Sequence, residues 1–367
     1  MKEVCELSIL LKKHFVINAA RIMLIAQMVL ALIKVRTVCL REVAGGFAGE
    51  ALISSNEKRI HRFLRDFPFG QTEICKFVAS FLPEGKWIIA MDRTIWEFGN
   101  QKINILMLAA VYKGVAIPLM WEMLTGSKAP DIGKKGNSNT RERIRLICQF
   151  VSLFGKERIE AVCADREFVG SEWFGWLRKE GIRVCIRIRN NMYVSDSRGH
   201  DRQVSYLFRD LKIGQSRIPG GERKCGEIRV RLSGVRLRGG ELLIVACFDN
   251  PGDALETYAK RWQIETMFAC LKSRGFGFEA THLRDLGRIS KLLAVICIAF
   301  VWAYLIGDQL GEIRPITIKK HGYRSQSVFR YGFDHLRKIL FNVTDYPDGF
   351  IKVIQAFKIP SPMIFVR

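Results

Sequence analysis

The chain has 367 residues, 49% of them hydrophobic and 26% charged, which fits roughly two or three folded units and excludes a disordered tail or a collagen-like repeat. Lys and Arg number 58 against 36 Asp and Glu, so 58 − 36 = +22; an excess of that size points to a polyanion, nucleic acid first and an anionic membrane surface second. Ten cysteines stand singly, with no C-x-x-C pair and no zinc-ligand spacing, so neither a disulfide framework nor a structural zinc is expected, and a reducing cytosol fits.

Residues 1 to about 82 read as helical. Apolar residues recur at helical spacing over 7–40. The apolar stretch 15–33 is broken by Asn18, Arg21 and Gln27, and residues 1–15 lack the order of a secretion signal. After Gly45-Gly46, the run Ser54-Ser55-Asn56-Glu57 looks like a cap for a short helix carrying Ile60, Phe63 and Leu64. Lys58, Arg62 and Arg65 fall on one face of that helix. A DNA-binding unit of helix-turn-helix type fits, and so does a merely solvated basic face.

The pattern changes at Trp87. Residues 86–92 are an apolar run ending on Asp92. Runs at 103–112 and 115–123 follow, joined by turns such as Lys113-Gly114, which predicts an antiparallel meander. Residues 126–139 read as a polar loop. Asn139 and Glu142 form a capping box for a helix over 140–154. An apolar strand at 158–165 ends on Asp165, followed by a helix at 172–180 and a strand at 183–189. This is the element order of an α/β fold with a ribonuclease-H-like core. Residues 190–250 alternate short apolar runs, at 227–232 and 242–248, with turns rich in Gly, Asp, Ser and Arg. Over 181–250 there are 14 Lys and Arg against 7 Asp and Glu, a surplus of 14 − 7 = +7, so a basic β-rich insertion is expected at about 190–250. Helices are expected at 254–274 and 289–310. The apolar core of the second, 292–306, is short of the roughly 20 residues that cross a bilayer, and a buried helix is expected. Residues 311–367 are basic and mixed, with no element assigned. The organisation read from the sequence is thus a small helical DNA-binding domain (1–82), an α/β catalytic domain with its insertion (83–310) and a basic tail (311–367).

Along the helix expected at 254–274, Tyr258, Arg261, Glu265 and Lys272 share an arc of roughly 60° at helical spacing. Ile264, Met267, Phe268 and Leu271 form a separate apolar stripe. The plain reading is an exposed i, i+4 pair of Arg261 with Glu265. Asp92 and Asp165 each close a buried strand, where a carboxylate is costly unless paired, capped or bound to a cation. In the expected fold these strands are neighbours, and a glutamate from a following helix would complete a set of three acids. Carboxylate oxygens suit Mg²⁺ or Mn²⁺, and two ions about 3.5–4 Å apart activate a nucleophile and stabilise a leaving oxygen.

Asp92, Asp165 and Glu265, with Tyr258, Arg261, Glu265 and Lys272 in the order Y-x2-R-x3-E-x6-K, resemble the DDE transposases of bacterial insertion sequences, and in particular the insertion-sequence-four family of cut-and-paste enzymes. The contexts Asp92-Arg-Thr, Asp165-Arg-Glu and Arg261-Trp-Gln-Ile-Glu agree, over about residues 35–310. The resemblance implies that Asp92, Asp165 and Glu265 bind the metal ions, and that Tyr258, Arg261 and Lys272 hold phosphates near the scissile bond. It implies cleavage of double-stranded DNA at inverted-repeat ends, a hairpin intermediate, joining to target DNA, a dimer pairing two ends, and a cytoplasmic, nucleoid-associated location. Trp262 would stack on DNA or anchor the helix in the core. The insertion has no Trp, so Tyr193, Tyr206, Phe208 and Phe248 are its candidates for holding a flipped base. Two other readings are a ribonuclease-H-like nuclease without strand transfer and a transposase-derived DNA-binding protein that has lost catalysis. A membrane protein is the weakest, because no segment looks long and uncharged enough.

Overall fold

A computed structural model of the chain describes residues 2–126, 129–320, 322, 324–343 and 347–357. Helices α1 (Lys2–Lys12), α2 (Ala19–Val35), α3 (Leu40–Gly45), α4 (Ile53–Asp66) and α5 (Gln71–Ala79) come first. Asn18 does more than interrupt an apolar run: its side chain accepts from the Ala20 N–H and starts α2. The expected cap of α4 is corrected. The helix begins at Ile53, so Ser54, Ser55 and Asn56 lie inside it, and the Asn56 amide turns back to the Ala51 carbonyl.

Strands β1 (Trp87–Phe98), β2 (Gln101–Tyr112) and β3 (Val115–Met123) form the antiparallel meander. Its second turn is Lys113-Gly114, with φ of 44° and 93°; two positive φ values make the hairpin turn whose twist matches that of its strands. The region expected as a polar loop contains a small hairpin of β4 (Thr125–Gly126) and β5 (Ala129–Gly133). The Asn139–Glu142 capping box forms and opens α6 (Thr140–Phe154). Next come β6 (Ile159–Ala164), α7 (Ser171–Lys179) and β7 (Val184–Ile188). The insertion carries β8 (Tyr193–Ser195), β9 (Asp201–Gln203), β10 (Ser216–Arg217), β11 (Arg223–Cys225), β12 (Ile228–Arg236) and β13 (Leu242–Cys247).

Among the described residues the main sheet has nine strands, ordered β10-β12-β13-β7-β6-β1-β2-β3, with β11 paired to β12. β6 runs parallel to both β1 and β7, and the other pairs are antiparallel. The long strands of the insertion therefore prolong the central sheet, because β13 docks on β7.

The helix expected over 254–274 is two helices, α8 (Ala254–Ala259) and α9 (Trp262–Leu271). Beyond them α10 (Leu286–Ile313) is buried continuously from Leu292 to Gly307 and packs on α2, α4, α5, α9 and β3. At 28 residues it is long enough to cross a bilayer, which corrects the expectation from length; 89% of its most apolar window is buried against the protein. The tail, left without elements in the sequence reading, contains α11 (Val328–Phe341) and α12 (Pro347–Gln355), while 344–346 and 358–367 lie outside the described residues. α11 packs closely on α10: a Cβ on Gly332 would stand 1.9 Å from the Ala303 carbonyl oxygen, and one on Gly307 1.9 Å from that of Val328. One cluster of buried apolar residues runs from Val4 through the sheet to Phe357.

Candidate active site

The last parallel pair between β1 and β6 is Met91 with Ala164. Asp92 and Asp165 are the next residues on each chain, so the sheet sets two carboxylates side by side, one strand spacing apart. α9 lies across β1, β2 and β3 and is gripped by the meander turn, where the Gly114 N–H donates to Gln263 Oε1 at 3.2 Å. Glu265 lies in the first turn of α9, within reach of Asp92 through Arg261.

Arg261 joins the acids. Its Nη1 donates to Asp92 Oδ2 at 2.8 Å and its Nη2 to Glu265 Oε1 at 2.7 Å. The i, i+4 pair foreseen in the sequence exists, but it is not an exposed surface pair: Arg261 is only 4% exposed and serves a second acid on another element. The hydroxyl of Tyr258, also buried, donates to Asp165 Oδ1 at 3.4 Å. Burial pushes the Asp92 carboxyl up to about 6, against the pull of Arg261 and of the Arg93 N–H, with Glu167 and Asp165 adding to the rise. Burial likewise raises the Tyr258 phenol. It opposes the charge on Arg261, yet Tyr258, Asp92, Glu265 and Asp165 around that group leave its pKa raised.

Trp262 is 65% exposed, which removes the core-anchor reading. Lys272 departs from the arc drawn for it. The chain breaks between α8 and α9, and Lys272 ends α9 in a non-helical conformation. Its ammonium pairs with Glu279 at 2.5 Å and stands over the Trp96 ring, so the arc of four polar residues is corrected to Tyr258, Arg261 and Glu265. Lys58, Arg62 and Arg65 are exposed on α4. Arg65 makes two hydrogen bonds to Asp66, and among the described residues no hydrogen bond or ion pair joins these three to the acids.

Three supporting residues were given no role in the sequence reading. Arg93 Nε donates to Glu167 Oε1 at 2.6 Å, tying the residue after Asp92 to the residue two beyond Asp165. Buried Arg143 donates to Ser138 Oγ, to the Ser138 carbonyl and to the Glu167 carbonyl. Arg93 and Glu167 were legible as neighbours of the two aspartates. Arg143 had no local signal, since only the packing of α6 brings it there.

The donor set is chemically right for a hard divalent cation. The arrangement is not: among the described residues no three acidic, histidine or cysteine side chains gather as a metal-binding group, and a guanidinium lies on Asp92 and Glu265.

Residues 83–302, well over half of the chain and including all three acids, match the family model described as a transposase DDE domain. No curated protein matches the chain.

Proposed function

The chain belongs to the transposase DDE domain family, enzymes of metal-dependent phosphoryl transfer on DNA, and on that premise we propose that it cuts double-stranded DNA at the inverted-repeat ends of an insertion sequence and joins the freed 3′ ends to target DNA. The carrying observation is that Asp92 and Asp165 each directly follow the last parallel pair of β1 and β6, Met91 with Ala164, with Glu265 tied to Asp92 through Arg261. We read the core as ribonuclease-H-like, on the strand order β3-β2-β1-β6-β7 with β6 parallel to both of its neighbours.

Asp92, Asp165 and Glu265 are the acids we assign to the cation, Mg²⁺ or Mn²⁺ and two ions, because oxygen donors suit hard cations. Arg261 and Tyr258 are assigned to the phosphates of the bound end, where a guanidinium fork matches two phosphate oxygens. Exposed Trp262 supports stacking on a base beside them. We assign Lys58, Arg62 and Arg65 to phosphate contacts outside the site, on the exposed face of α4. The Y-R-E-K spacing supports the insertion-sequence-four family, and with it a hairpin route, a dimer at paired ends and a cytoplasmic, nucleoid-associated protein.

The hairpin route needs a holder for a flipped base. Phe208 is fully buried, and Phe248 packs edge-on against Phe174 beneath Arg178. Tyr193 and Tyr206 are exposed on a cavity of about 760 Å³ that Arg202, Arg209 and Arg236 also line. We assign the flipped base to this cavity, since a ring for stacking lies there next to cations for the adjoining phosphates.

The test uses a duplex carrying the inverted repeats that flank the gene. The purified protein and Glu265→Gln are each incubated with it in Mg²⁺ or Mn²⁺, and the products are run on a denaturing gel. Metal-dependent end cleavage that the variant loses is expected, with a hairpin band. Tight binding without cleavage in either metal would sink the proposal and leave a DNA-binding protein without catalysis.

A further inference from the structure

The Arg261 guanidinium takes Asp92 Oδ2 at 2.8 Å and Glu265 Oε1 at 2.7 Å. A divalent cation shared by the two acids would have to bind these same carboxylates. Two cations cannot sit on the same pair of carboxylate oxygens without strong repulsion in a buried site. The bridge also leaves Arg261 incompletely satisfied: its Nε is buried with no hydrogen-bond partner among the described residues, and an unpaired buried donor is costly. Arg261 stands at the break between α8 and α9, next to exposed Trp262. The bridge opens to solvent on the side of Glu265, whose side chain is 39% exposed, and a phosphate would enter there.

We propose that Arg261 is a displaceable stand-in for the metal ion, holding Asp92 and Glu265 until a phosphate of bound DNA draws its guanidinium away. A phosphodiester offers the fork two oxygens and carries a full charge, so it competes with the carboxylates on equal terms. Once released, the two carboxylates are left in mutual repulsion, which a divalent cation relieves. Metal loading is thereby coupled to DNA binding through one side chain, and Arg261 acts as a positioning residue as well as a phosphate contact. The proposal rests on the assignment of Asp92 and Glu265 to the cation made above.

The experiment measures Mn²⁺ binding to the full chain without DNA, from the loss of the free-ion electron paramagnetic resonance signal. The proteins are the wild type, Arg261→Met, Arg261→Lys, Glu265→Gln and the double variant Arg261→Met with Glu265→Gln, each checked for a cooperative thermal transition. Arg261→Met is expected to bind Mn²⁺ about tenfold more tightly than the wild type, the scale of one charge-assisted hydrogen bond. Arg261→Lys should fall between them, because an ammonium is a point charge without the planar fork. The double variant should lose the gain. If the Arg261 variants fold and bind Mn²⁺ no more tightly than the wild type, while Glu265→Gln weakens binding, the stand-in role is overturned and the metal assignment survives. If Glu265→Gln changes nothing in either background, the assignment falls, and the stand-in role with it. Should Arg261→Met fail to fold, Arg261→Lys decides alone.

Discussion

Asp92 sits in an environment that opposes its charge. With burial lifting its carboxyl from 3.8 to about 6, the native state keeps a proton that the unfolded chain has already lost. Stability contributed by this group is therefore present below about pH 4 and falls as pH rises through about 6. Asp92→Asn does not titrate. In chelator, the variant should gain on the wild type between pH 4 and pH 7 by on the order of 2 kcal/mol, read from urea unfolding at each pH; parallel pH profiles would refute the shift. Burial opposes the charge of Arg143 as well, and hydrogen bonds hold it in place. Its guanidinium supplies three hydrogen bonds to Ser138 and Glu167, and Arg143→Met would strand the buried Ser138 carbonyl and the partly buried Glu167 carbonyl. A loss of about 2–3 kcal/mol is expected in urea unfolding, and a loss under about 0.5 kcal/mol would mean that water or a neighbour replaces it.

At the scale of elements, local patterns carried well where one segment decides its own structure. The Asn139–Glu142 box starts α6 where the spacing places it, and the meander turns where Lys113-Gly114 falls. They failed where a neighbour decides. Periodicity ran one helix through 254–274, whereas the chain breaks between Ala259 and Trp262; α8 packs on β7 and β13 while α9 lies across β1 to β3. α11 went unassigned although Ser327 caps it and Phe329, Phe333, Leu336 and Leu340 recur at helical spacing on its buried side; only its close packing on α10 was beyond local pattern. Gly332→Ala would drive a Cβ to 1.9 Å from the Ala303 carbonyl oxygen, and separating α10 from α11 should cost about 2–3 kcal/mol. A urea midpoint equal to that of the wild type would show that the two helices separate freely.

For the molecule as a whole, the net charge of +22 makes ionic strength a direct probe. Binding of the end duplex should weaken linearly on a log–log plot against salt. Replacing Lys58 and Arg62 together by Ala should lower that slope by about 2 if both touch phosphate, with little change in sequence preference. An unchanged slope would take α4 off the DNA. Neither residue is part of the buried core, so the double variant should fold normally.

The sequence by itself determined the charge that selects a polyanion, the apolar runs that lead into Asp92 and Asp165, and the spacing of Tyr258, Arg261 and Glu265; the end of the first strand it misplaced, because β1 runs on past Asp92 to Phe98 in its pairing with β2. These are properties of composition and of short segments, set by local sterics and by which side chains tolerate water. Tertiary structure alone decided that Met91 pairs with Ala164 and so sets the two aspartates side by side. It also turned Lys272 away to Glu279, made the insertion an extension of the central sheet, and buried Arg261 between two carboxylates. Apart from the turn of Lys272, which is local, these depend on strand pairing or helix docking between segments far apart in the chain, where the free energy of burial, rather than local propensity, chooses the partner.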